Sequence, residues 1–141
     1  MSIQFFFEKN ITLSQRKKLK VFLVNLIETE NRKISSISII FCSNDYLLEI
    51  NRTHLNHDYY TDIITFDLTP KKSVHLEAEL YISTDMIKEN AVKYNTTFQN
   101  ELHRVIFHGL LHLCGYKDKN KMDQEIMRNK ENEYLLLYFT K

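Results

Sequence analysis

The residues of this chain best suited to chemistry are His108 and His112, four positions apart in Phe107-His-Gly-Leu-Leu-His-Leu-Cys-Gly-Tyr-Lys-Asp118. On an α-helix that spacing puts two imidazoles on one face about one turn apart, where both can reach a single ion. Gly115 comes next, and a residue tolerant of positive φ can end the helix there and turn the chain back. Asp118 can then offer a carboxylate to the same ion. Two nitrogens and one oxygen leave a fourth tetrahedral position for water, the arrangement of a catalytic rather than a structural zinc. One zinc ion per chain, held by His108, His112 and Asp118, is therefore expected.

The spacing follows the metzincin frame His-Glu-x-x-His-x-x-Gly-x-x-His with two departures. Gly109 replaces its Glu, and Asp118 replaces its third His. In peptidases that Glu takes a proton from water and delivers it to the leaving amine, which glycine cannot do. Peptide hydrolysis is disfavoured although the metal cradle remains. His103 lies five residues before His108, about 140° around a helix, and should face elsewhere. Cys114 also points off the ligand face and reads as a core thiol. Tyr59, Tyr60 and Phe66 offer faces on which unpaired bases can stack, although a strand position favours core packing for Phe66.

The elements that must position these groups follow from periodicity. Ile3 to Phe7 reads as a strand. Thr12 or Ser14 caps a helix over about Leu13 to Glu28, with Leu19, Phe22, Leu23, Leu26 and Ile27 as its apolar stripe. Its other face carries Arg16, Lys17, Lys18 and Lys20, a solvated face in preference to a phosphate patch. Ile34 to Cys42 alternates as a second strand. Asn44 caps a helix to about Thr53, followed by an irregular stretch over Asn51 to Tyr60. Thr61 to Asp67 and Leu76 to Ser83 form a hairpin around the turn Pro70 to Ser73. Ser83 or Thr84 starts a helix to about Tyr94, Thr97 starts the metal-site helix, and a last helix covers about Met122 to Tyr138. The order predicts an α+β (mixed α/β) fold, a small mixed β-sheet covered by helices, with a metzincin-like metal-site helix.

A length of 141 residues predicts one domain over 1–141. Two Gly and one Pro against eight Tyr and nine Phe exclude low-complexity and linker-like chains. Nineteen basic against eighteen acidic residues give a net charge of +1, so any polyanion has to be held by a local patch. The longest apolar runs fall short of a membrane helix. The N-terminus lacks signal-peptide features, which predicts a cytoplasmic protein with no membrane association. Cys42 and Cys114 fit buried thiols better than a disulfide.

The segment His108-Gly109-Leu110-Leu111-His112-Leu113-Cys114-Gly115-Tyr116 resembles the signature of the YbeY family, bacterial rRNA maturation factors described as single-strand-specific, metal-dependent endoribonucleases. Asn51, followed by Asp58-Tyr59-Tyr60-Thr61-Asp62-Ile63-Ile64-Thr65-Phe66, is similar to the family's Asn-x-x-Tyr-Arg-x-x-Asp-x-Pro-Thr-Asp-Val-Leu-Ser-Phe region. Glu79 to Ser83 resembles its Gly-Asp-Ile-x-Ile-Ser strand. The chain departs from the family at Asp118, where the third ligand is usually His, and at Leu55, where an Arg would face phosphate. A carboxylate ligand keeps metal binding but leaves the ion less electrophilic. His57, cationic when protonated, could partly replace the missing cation, although a plain loop histidine is the favoured reading. Tyr60 and Ala78-Glu79 stand where the family has Pro and Gly-Asp.

The resemblance implies a zinc-dependent endoribonuclease acting on ribosomal RNA in small-subunit maturation, with that RNA and the small ribosomal subunit as partners. No general base is identifiable from the sequence. The competing expectations are a ribosome-assembly factor with a structural metal and, less favoured, a metallopeptidase.

Overall fold

The computed structural model describes residues 2–140. Its elements run β1 (Ser2–Phe7), α1 (Arg16–Thr29), β2 (Lys33–Cys42), α2 (Asn44–Leu55), β3 (Ile63–Asp67), β4 (His75–Ser83), α3 (Thr84–Lys93), α4 (Phe98–Leu113) and α5 (Lys121–Phe139). The strands form one sheet in the order β1-β2-β4-β3, which is the mixed α+β architecture expected. β1 and β2 pair in parallel through the α1 crossover, β2 and β4 also pair in parallel, and β3 folds back antiparallel on β4 as the outer strand.

Alternation along the strands divides the apolar residues between two faces. Ile37, Ile39 and Phe41 of β2 and Ala78, Leu80 and Ile82 of β4 point to the face covered by α1 and α4, where the main core lies. Leu19, Leu23, Leu26 and Ile27 of α1 are buried there, with Phe22 packed alongside. The opposite face holds a small cluster of Cys42, Leu47 and Ile64, with Ile50, Phe66 and Tyr81 packed against it. Phe66 therefore packs in a core, edge-on to His54 and Tyr81.

Several element boundaries differ from the sequence reading. α1 starts at Arg16, not near Leu13, and neither Thr12 nor Ser14 caps it; Gln15 takes the left-handed N-cap position with no side-chain bond. Leu13 is drawn into the core at 5% exposure, which keeps that stretch out of the helix. Ser43, not Asn44, caps α2, because the Asn44 amide donates to Asp85 and its side-chain oxygen accepts from Ser83. α2 also continues through Asn51 to Leu55, into the stretch read as irregular. Asn51 is 1% exposed and its side-chain amide donates to the Tyr59 carbonyl at 2.8 Å, tying down the loop that leads into β3.

The basic face of α1 is solvated, with Arg16 over Phe7 and Lys18 over Tyr138. Cys42 and Cys114 are both free, and burial pushes each thiol up to about 12. No helix among the described residues is long and apolar enough to cross a membrane.

Candidate metal centre

α4 brings the two histidines to the sheet. Thr97 caps it through the Asn100 amide, and Leu102, Val105, Ile106, Phe107, Leu110 and Leu111 bury its apolar face. Gly109 faces β3 and β4: a Cβ built there would lie 2.7 Å from Ile63 Cδ1 and 2.7 Å from Leu80 Cδ2. The position a metzincin gives to its glutamate is thus a close helix-to-sheet contact, where a side chain would require the ends of Ile63 and Leu80 to shift. After Leu113 the chain turns through Gly115, whose φ of 106° favours glycine, and returns with Asp118.

His108 Nε2 and His112 Nε2 are 3.0 Å apart, and Asp118 Oδ2 lies 3.1 Å from the latter and 3.2 Å from the former. His112 Nδ1 donates to the Tyr116 carbonyl at 2.9 Å, and His108 Nδ1 meets Glu131 Oε2 of α5 at 2.6 Å. In the neutral rings with the proton on Nδ1, each Nε2 would present a lone pair. Three acceptor atoms then face one another without a donor, a repulsive arrangement that a cation relieves and that a single proton relieves only in part. Tetrahedral zinc with ligands at about 2.0–2.1 Å has ligand-to-ligand edges of about 3.3–3.4 Å, close to these separations. The N₂O set fits that ion by chemistry and spacing, so His108, His112 and Asp118 could hold a metal.

Charged groups surround the cluster. Burial works against a charged His108, but the hydrogen bond and charge of Glu131 outweigh it and hold the ring above the ordinary histidine range. Burial would raise Glu131; its bonds from His108 and Arg104 bring it below the usual glutamate range. Burial raises Asp62, and raises Glu101 nearby, each against an attractive cationic neighbour. Two grooves flank the cluster. One, of about 830 Å³, runs along α5 and is lined by His108, Asp118, Lys121, Gln124 and Arg128 among others. The other, of about 420 Å³, lies against β3 and is lined by Asp62, Thr65, Asp67, His108, His112 and Asp118 among others.

The weaker candidates lie elsewhere. His103 is 2% exposed, stacked on Tyr138, with burial holding it below the ordinary histidine range. Leu55 is exposed at the end of α2, and His57 stacks on Tyr59 with Nδ1 2.9 Å from the phenol oxygen. Tyr59 and Tyr60 are exposed in the loop before β3. Sequence reading missed Glu131, Arg104 and Asp62 as neighbours of the site. Only Asp62 left a trace there, as a carboxylate within the block resembling a family motif.

The Endoribonuclease YbeY family model matches residues 4–138. An endoribonuclease YbeY of Christiangramia forsetii is 46% identical over 136 residues, 96% of this chain and 94% of that protein. One from Cytophaga hutchinsonii is 46% identical over 135 residues, 94% of each chain. Among solved structures, a Thermotoga maritima protein studied in solution aligns with a TM-score of 0.67 at 27% identity, covering 98% of this chain and 89% of its own. A family match over nearly the whole length, with relatives this similar, places the chain in the endoribonuclease YbeY family.

Proposed function

We propose that this protein is a zinc-dependent endoribonuclease specific for single-stranded RNA, acting in the cytoplasm on ribosomal RNA during small-subunit maturation. One observation carries the reading: in a chain of this family, His108 Nε2, His112 Nε2 and Asp118 Oδ2 converge to within 3.2 Å of one another. These three residues hold the ion. A bound zinc supplies Lewis-acid polarisation of a phosphoryl oxygen and lowers the pKa of water.

The chain's other residues bind and orient the strand. Lys121 and Arg128 line the α5 groove and take backbone phosphates. Tyr59 and Tyr60, exposed ahead of β3, offer faces for unpaired bases. Asp62 lines the β3 groove and also the small cavity beneath His108, and it stands outside the ligand set. We assign its carboxylate to take the proton of the water that attacks phosphorus, while the P–O bond to the leaving nucleotide breaks and the departing oxygen takes a proton from solvent.

The test is cleavage of one RNA sequence, single-stranded and in duplex, by zinc-loaded protein, with His112→Ala purified in parallel. Cutting of the single strand by the wild type alone is expected. Equal cutting by the variant would mean a contaminant. No cutting by metal-loaded protein that still binds the small subunit would favour the assembly-factor reading. Gly109, packed on the sheet, leaves the peptidase reading without its base.

A further inference from the structure

The second ring nitrogens of the two histidines meet different kinds of partner. His112 Nδ1 donates to a backbone carbonyl, that of Tyr116, which any residue at that position would supply. His108 Nδ1 instead meets a side chain, Glu131 Oε2, at 2.6 Å from a different helix. Glu131 is 5% exposed, and its other oxygen accepts from Arg104 Nη1 at 2.9 Å. Arg104 is fixed in turn, since its Nη2 donates to Asn132 Oδ1 at 2.7 Å. We propose that Glu131 is a positioning residue of the metal site: held by Arg104, it keeps the His108 proton on Nδ1 and aims Nε2 at His112 and Asp118. This rests on the metal-centred reading above.

A carboxylate that served only to clamp α4 to α5 would be satisfied by Arg104 and would leave its second oxygen to water. Here that oxygen is spent on the ligating ring. Charge balance points the same way. Asp118 already places one negative charge among the ligands, and a second would blunt the ion's pull on a phosphoryl oxygen. Arg104 offsets the charge of Glu131, so the ring is oriented without that cost. Orientation of a ligating histidine by such a partner is commonly worth 10–100-fold in metal affinity.

The test is zinc affinity by chelator competition, together with the visible spectrum of the cobalt(II)-substituted protein, which reports ligand geometry without any RNA. Glu131→Ala should bind zinc about 10–100-fold more weakly, with an altered cobalt spectrum. Glu131→Gln keeps an acceptor for Nδ1 and should restore most of the affinity and the wild-type spectrum. If the alanine variant fails to fold in chelator, Glu131→Met fills the same volume and should show the same weakened binding. Wild-type affinity and spectrum in Glu131→Ala or Glu131→Met would overturn the assignment while leaving the metal site standing. A wild type that takes up no ion would overturn both.

Discussion

Asp118 brings an oxygen to two imidazole nitrogens, and the three atoms lie within 3.2 Å of one another. The mechanism asks a fourth residue, Asp62, to take a proton. Asp62→Asn should lower kcat for single-stranded RNA by about 10²–10⁴-fold while metal content stays at the wild-type level; an unchanged kcat would remove Asp62 from the mechanism. Gly109→Ala sets a methyl 2.7 Å from both Ile63 Cδ1 and Leu80 Cδ2, so it should destabilise the fold by about 1–3 kcal/mol in a denaturant titration. The cluster of His108, His112 and Asp118 was legible in the sequence because two lie on one helical face and the third follows a glycine turn. Glu131 was not, since it reaches His108 across a helix-to-helix contact that no local spacing marks.

The helices and strands that carry the site were largely visible in the apolar periodicity, and the misplaced boundaries share a cause. Leu13 is pulled into the core, and Asn44 is engaged by Asp85 and Ser83, so long-range partners decide where α1 and α2 begin. A similar long-range tie joins the end of α1 to α5 and to the metal loop. Glu30 accepts from Tyr134 and from Tyr116, the residue whose carbonyl orients His112, and Lys130 lies 3.6 Å away. Burial would raise the Glu30 carboxyl, but these phenols and Lys130 bring it below the ordinary glutamate range. Its contribution is present above the unfolded-state value of about 4.3 and is lost as pH falls through the lower folded value. Melting in chelator should therefore show a shallower acid decline for Glu30→Gln than for wild type below about pH 4.3. Parallel declines would deny Glu30 that role.

At the scale of the whole molecule a net charge of +1 gives no general attraction for RNA, so affinity must come from local cations. Two of these, Lys121 and Arg128, line the α5 groove. Replacing both with Gln should reduce the slope of log affinity for single-stranded RNA against log salt by about 1.4, with metal content unchanged. An unchanged slope would place the strand elsewhere. The fold class was legible because the order of strands and helices leaves few ways to cover one sheet. The β3–β4 hairpin was legible too, whereas the place of β3 at the edge of the sheet came only with the structure. We propose above that His108, His112 and Asp118 together hold one ion. Elemental analysis of wild type and Asp118→Ala, both purified without a metal-affinity tag, tests it directly. One zinc per chain in the wild type and a sharp loss in the variant are expected; equal metal in both, or almost none in the wild type, would mean that the three residues do not hold an ion together.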